Sequence, residues 1–265
     1  MRLTLLDLRR IAAERKIAML TCYDASFAAV LDRAGIDVLL IGDSLGMVIQ
    51  GHDSTLPVTV DDVAYHTRAV ARGSQHALIV ADMPFGSYQG SALAAFDNAV
   101  RLLQAGAQMV KLEGGEEMAP TIGFLVERGV PVCGHVGLTP QHVNRFGGYR
   151  IQGRGQAAAR IRSAARAVAA AGAEMIVIEA VPEPLARAIA TESKALTIGI
   201  GASVACSGQV LVLHDMLGVA VDKRPRFVKN FLLEAGSVEA AARAYLAQVQ
   251  SGQFPTAEHV YPDSN

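Results

Sequence analysis

Tryptophan is absent from the 265 residues, aromatic side chains make up 5%, and cysteine occurs only three times. Cys22, Cys133 and Cys206 are odd in number, far apart and form no CxxC pair. This excludes a zinc site built on paired cysteines and a disulfide framework, and makes a reducing cytoplasm the expected compartment. Charge is also scarce, at 18% of residues with a net charge of −1. Such a chain has no bulk attraction for nucleic acid or an anionic membrane. A long apolar run is missing too. The longest uncharged stretch, residues 195–213, is interrupted by Gly199, Gly201, Ser203, Ser207, Gly208 and Gln209, so it does not read as a membrane span. No basic start followed by an apolar run and a small-residue cleavage site marks a secretion signal. What is abundant is hydrophobic content, 51% of residues with a mean hydropathy of +0.28. That excludes a disordered chain and requires a large core or buried subunit contacts.

Short apolar runs recur at 17–23, 38–43, 77–82, 109–113, 131–135, 175–179, 196–201 and 210–214. Each has the length of a buried strand, and continuous rather than alternating hydrophobicity predicts parallel strands covered on both faces. Helical spacing appears between most of them, at 24–34, 61–72, 91–105 and 156–171. Four joints share one form, in which Gly35, Gly106, Gly129 or Gly172 ends a helix shortly before a strand begins; a left-handed glycine cap explains the pattern. Eight such units without a linker predict an α/β fold, a single (β/α)8 TIM barrel over residues 1–265. A doubly wound open sheet is the alternative, but it wants a glycine-rich loop after the first strand, where Cys22-Tyr23-Asp24-Ala25-Ser26 stands. Additional N- and C-terminal amphipathic helices at 3–14 and 237–250 are expected to close the barrel bottom or meet a neighbouring subunit.

Barrel active sites lie at the C-terminal ends of the strands. Five consecutive strand candidates end in Asp43, Asp82, Glu113, His135 and Glu179, and Lys111 shares a face with Glu113. Taken singly, each has a plainer explanation: a helix-capping Asp43, a buried Lys111–Glu113 pair, a core histidine. One site accounts for all five together. Asp43, Asp82 and Glu113 offer hard oxygen ligands without a Cys or paired-His set, which suits Mg²⁺. With Lys111 alongside, the site fits a 2-oxo acid whose developing enolate needs stabilising, and Glu179 could remove the proton beside the ketone. Two loops, 45–60 and 139–155, are long enough to cover the mouth. Cys133 beside His135 is read as packing rather than as a nucleophile.

The chain resembles the 3-methyl-2-oxobutanoate hydroxymethyltransferase (ketopantoate hydroxymethyltransferase) family over nearly its whole length. The matching segments are Thr21-Cys22-Tyr23-Asp24, Gly42-Asp43-Ser44-Leu45-Gly46-Met47, residues 50–59, Val110-Lys111-Leu112-Glu113-Gly114-Gly115, residues 131–141, Phe146-Gly147-Gly148-Tyr149, Gln152-Gly153-Arg154-Gly155 and Phe227-Val228-Lys229-Asn230-Phe231. The resemblance implies a (β/α)8 barrel that transfers a one-carbon unit from 5,10-methylenetetrahydrofolate to 3-methyl-2-oxobutanoate with Mg²⁺. The product would be 2-dehydropantoate, on the route to pantothenate and coenzyme A. It implies Asp43 and Asp82 as metal ligands with Glu113 as a further one, and Asp43, Ser44, Asp82 and Lys111 around the keto acid. His135 takes a supporting role at the substrate, and Glu179 is the catalytic base. It also implies a homodecamer. One stretch departs from the family pattern: Ser203 stands where the family has Gly, and Ser207 where it has Asp. Because serine does not take positive φ freely, that loop is expected to differ in shape. Two other readings remain: a Mg²⁺-dependent 2-oxo acid lyase or mutase of the phosphoenolpyruvate/isocitrate lyase type, which needs no folate, and a catalytically silent scaffold.

Overall fold

Eight parallel strands close on themselves in the computed structural model, which describes residues 1–219 and 224–263. Chain order equals spatial order: β1 (Ile17–Thr21), β2 (Val38–Ile41), β3 (Leu78–Asp82), β4 (Met109–Glu113), β5 (Val132–Gly137), β6 (Met175–Glu179), β7 (Leu196–Ile200) and β8 (Gly208–Leu211), with β8 pairing back onto β1. Nearly every strand residue is buried, as the continuous apolar runs require when one face fills the barrel and the other meets helices.

The helices begin and end where local chemistry dictates. The N-terminal α1 (Leu5–Glu14) opens with a reciprocal Thr4–Asp7 capping box, and α2 (Ala25–Ala34) with the Asp24 carboxylate accepting from Phe27 N–H at 2.8 Å. After β2 comes a single turn, α3 (Leu45–Val48), and then α4 (Val60–Gly73), whose cap is Thr59 with Asp62 rather than the expected start at Asp61. The remaining elements are α5 (Ala92–Gln104), α6 (Ala119–Glu127), the short α7 (Val143–Phe146), α8 (Ala157–Ala170), α9 (Glu183–Glu192), two further short turns α10 (Leu213–Met216) and α11 (Leu232–Ala235), and α12 (Val238–Gln250). Gly35, Gly106, Gly129 and Gly172 all take positive φ at the helix-to-strand joints, the conformation that lets each chain turn back into the barrel.

Two terminal expectations resolve differently. α1 does close the bottom: Leu8 is fully buried, and Arg2 donates to the carbonyls of Ser74 and Ala77. α12 instead packs against α2 and β1, where Tyr245 OH donates to Met19 O on β1 and Gln209 O on β8, so it takes the place of the barrel's eighth helix. His214, placed at the end of the eighth strand by its apolar run, lies in α10. No helix among the described residues is long and apolar enough to cross a membrane.

Candidate active site

Strand register assembles the site. In β3–β4 pairing Asp82 stands opposite Lys111, in β4–β5 Glu113 opposite His135, and in β5–β6 Gly137 opposite Glu179. The side chains at these strand ends therefore converge on the C-terminal mouth. Asp43 lies just past β2, and its backbone N–H donates to Asp82 Oδ2 at 2.9 Å. A Cβ on Gly42 would come within 2.7 Å of Ser44 Oγ and 3.5 Å of Asp82 Oδ2, so a side chain there would displace the Ser44 hydroxyl. Ser44 Oγ is 2.8 Å from Tyr23 OH, at the rim.

The cluster is deeply buried, from 1% exposure at Glu113 to 4% at Asp43 and Lys111. Asp43 is not a helix cap, since its carboxylate accepts from Gln141 Nε2 at 2.9 Å. The Lys111 ammonium pairs with Asp82 Oδ1 and not with Glu113. Glu113 faces His135 instead, with Nδ1 to Oε1 at 3.3 Å, while His135 Nε2 lies 3.2 Å from Glu179 Oε2. Neither ring nitrogen has a directed hydrogen bond and Glu113 Oε1 has none either, so these are ionic contacts. The Glu179 side chain alone reaches outward, at 15% exposure.

Electrostatics follow from that crowding. Burial, then Asp82 and Glu113, pushes the Asp43 carboxyl up to about 8 against the pull of Lys111 and Gln141. Burial opposes the charge on Lys111, yet Asp82, Glu113 and Asp43 hold its pKa above the ordinary value. Burial likewise opposes ionisation of Glu113, but His135, Lys111 and the Gln141 N–H hold it below the usual range. His135 is pushed down by burial and Lys111, and the carboxylates of Glu113 and Glu179 more than reverse this, to about 9. With all groups ionised, Asp43, Asp82, Glu113 and Glu179 face only Lys111 and His135, leaving two negative charges that one divalent cation would neutralise. No set of three His, Cys, Asp or Glu side chains among the described residues already converges as a metal cage. That is compatible with Mg²⁺, which uses one or two carboxylates and completes its shell with water and substrate oxygens; it does not suit a metal needing a full protein cage. Asp43 and Asp82 could supply two oxygen ligands, with Glu113 as a further one.

Sequence reasoning missed the residue that ties the cluster together. Gln141 follows β5 on a short 3₁₀ turn and is buried. Its amide donates to Asp43 Oδ2 at 2.9 Å and Met83 O at 3.0 Å, and its backbone N–H donates to Glu113 Oε2 at 2.9 Å. Tyr88 OH donates to Gln141 Oε1 at 2.7 Å and accepts from Glu113 N–H at 3.0 Å. The signal was Pro140, whose fixed φ starts the turn directly after a strand. Cys133 is fully buried and its thiol is raised to about 12, chiefly by burial, which leaves no thiolate for nucleophilic chemistry.

Neither Ser203 nor Ser207 hydrogen-bonds a residue of the acidic cluster. Ala180 is the sole non-glycine residue with positive φ among the described residues, so Ser203 adopts an ordinary conformation. Its hydroxyl donates to Glu183 Oε1 at 2.7 Å. Ser207 precedes β8 at the opposite end of the barrel, where its Oγ accepts from Thr197 N–H.

A ketopantoate hydroxymethyltransferase family model matches residues 2–257. Two relatives named 3-methyl-2-oxobutanoate hydroxymethyltransferase are similar over nearly the whole chain. The protein from Chromobacterium violaceum is 60% identical over 98% of this chain and 100% of its own length. That from Burkholderia multivorans is 62% identical over 94% and 92%. Among solved structures, an oxaloacetate acetylhydrolase bound to 3,3-difluorooxalacetate superposes with a TM-score of 0.63 at 12% identity, covering 96% of this chain and 98% of that one. At that identity the likeness is one of fold.

Proposed function

The chain belongs to the ketopantoate hydroxymethyltransferase family, and we propose that it converts 3-methyl-2-oxobutanoate to 2-dehydropantoate with 5,10-methylenetetrahydrofolate as the one-carbon donor. The observation that carries this reading is the surplus of carboxylates around one buried lysine at the barrel mouth, on a chain 60% identical to named hydroxymethyltransferases. Water supplies the hydroxyl oxygen, and tetrahydrofolate leaves. A divalent cation such as Mg²⁺, held by Asp43 and Asp82 with Glu113 behind them, would supply Lewis-acid polarisation of the keto acid's ketone and carboxylate oxygens.

The chain's own residues do the rest. Lys111, locked by Asp82, presents a fixed positive charge to the anionic substrate. Ser44, oriented by Tyr23, offers a hydroxyl at the rim. Glu179 takes the proton from C3 of the keto acid, and its contact with His135 sets where its second oxygen points. His135 has both ring nitrogens committed to acids, which makes it a positioning residue for Glu113 and Glu179. The surroundings of the reaction are the cytoplasm and the pathway to pantothenate. The assembly is a homodecamer, for which exposed Leu6, Tyr65 and Leu93 supply apolar surface.

Turnover of 3-methyl-2-oxobutanoate with methylenetetrahydrofolate and Mg²⁺, followed as 2-dehydropantoate, tests the reading. Turnover that needs Mg²⁺ but no folate, with cleavage of a dicarboxylic acid, would replace it with a lyase. Light scattering that returns a monomer would remove the decamer.

A further inference from the structure

A cavity of about 330 Å³ opens beside the catalytic acids, under the loop that follows β5. Its wall includes His135, so it adjoins the residue that touches Glu179, and on its outer side it is bounded by His142, Arg145, Phe146, Gln152 and Arg160. Two features mark it as a candidate anion-and-aryl site. The first is unspent positive charge. Arg162 and Arg166 on α8, which border a separate cavity of about 260 Å³, are both engaged by Glu192. Arg145 and Arg160 make no ion pair or hydrogen bond with any described residue. One acid, Glu117, also lines the cavity, but its Oε1 is occupied by the Gly115 N–H at 3.0 Å. The second feature is an aromatic wall: the His142 and Phe146 rings lie 6.1 Å apart, tilted to one another, with His142 Nδ1 held by Thr139 Oγ1 at 2.9 Å.

From this we infer that the cavity is the subsite for the benzoyl-glutamate portion of the folate co-substrate. His142 and Phe146 flank the aryl ring, and Arg145 and Arg160 receive the glutamate carboxylates. The inference rests on the folate reading above. An elongated ligand that is flat at one end and anionic at the other fits a cavity that meets the mouth cluster at His135 and carries Arg145 and Arg160 in its wall. Arginine is suited to this task because its planar fork matches a carboxylate.

Binding of tetrahydrofolate to the whole enzyme, measured by calorimetry alongside binding of 3-methyl-2-oxobutanoate, tests the assignment without relying on turnover. Arg145→Gln and Arg160→Gln are each expected to weaken tetrahydrofolate about three- to tenfold, the range for partly exposed charge-assisted contacts. The double variant should weaken it further, with keto-acid affinity unchanged in all three. Tetrahydropteroate, which lacks the glutamate, should bind wild type and variants alike. Unchanged tetrahydrofolate affinity in the double variant overturns the subsite, as does equal weakening of tetrahydropteroate. Wild-type enzyme that turns over the keto acid without recognising tetrahydrofolate overturns the folate reading itself, and the subsite with it.

Discussion

At the base of the barrel, Arg15 grips Asp37 with two hydrogen bonds of 2.8 Å, and Asp37 also accepts from Ala18 N–H at 2.9 Å. At the mouth, Lys111 grips Asp82, but Asp43 and Glu113 crowd the same space. Both ends bury a carboxylate against a cation, although Arg15 at the base is one-third exposed and Lys111 is buried. At the base one acid meets one cation and both acid oxygens are bound. At the mouth acids outnumber cations, Asp43 is driven up to about 8, and polar atoms of Glu113 and His135 have no directed hydrogen bond. A protein optimised only for stability would not keep that arrangement, because uncompensated buried charge is costly. The difference separates a pair that holds the barrel shut from a cluster shaped for something that arrives from outside.

The largest expected effect comes from the one acid of the cluster that reaches outward. Glu179→Gln should lower kcat on the order of a hundred- to ten-thousandfold, the usual reach of general-base catalysis, while Mg²⁺ and keto-acid affinities measured by calorimetry hold. Retained turnover would remove Glu179 from the base role. Next comes a contrast of sign between the two ends. Asp37→Ala should cost about 1–3 kcal/mol in denaturant unfolding, because the lost hydrogen bonds leave Arg15 to solvent, with Mg²⁺ affinity unchanged. Asp43→Asn should do the reverse when measured above about pH 8, where the Asp43 carboxyl is ionised: it relieves repulsion among three acids, so the metal-free protein melts higher, while Mg²⁺ binding weakens. If both substitutions lower stability and spare Mg²⁺, the two ends are equivalent and the comparison fails.

A third test concerns how the mouth is held open. Gln141→Leu keeps the backbone donor to Glu113 but removes the amide from Asp43 and Met83. Loss of such an orienting contact typically costs about 10–100-fold in metal affinity. Isothermal titration with Mg²⁺ should show that loss, and unchanged affinity would mean that Asp43 is positioned by its backbone alone.

Gln141 also marks the boundary of what the sequence made legible. The barrel was readable because buried parallel strands are continuous apolar runs, and each of the four glycine-capped joints repeats the same turn. Asp43, Asp82, Glu113, His135 and Glu179 were readable because a charged residue closing an apolar run is costly and therefore conspicuous. The pairing among them was not: Lys111 and Glu113 share a strand face, and only the register of β3 against β4 sends Lys111 to Asp82. Gln141 and Tyr88 carry no charge and sit in loops, where no periodicity distinguishes a residue that spans three strands from one that merely covers them. The place of α12 was equally hidden, since its amphipathic pattern requires a partner without saying which.

The smallest effect lies in the backbone. Ala180, directly after Glu179, holds φ +46 while its N–H donates to Ile200 O at 2.9 Å and its carbonyl accepts from Gln152 N–H at 3.0 Å. A left-handed conformation costs a residue with a Cβ about 1–2 kcal/mol, and two hydrogen bonds to separate segments hold it there. No described residue at the base of the barrel takes on such a cost, so the strain belongs to the mouth, where it turns the chain directly after Glu179 at the end of β6. Ala180→Gly removes the Cβ penalty but adds about 0.5–1 kcal/mol of unfolded-chain entropy, so the net gain should lie between about 0 and 1.5 kcal/mol, centred on ~0.8 kcal/mol. For a chain of this size that is a rise of about 2 °C in Tm, with kcat unchanged because glycine can keep the same turn. A Tm that falls would show that the strain is not at Ala180. A Tm that rises while kcat drops would show that the Cβ, rather than the turn, fixes the aim of Glu179.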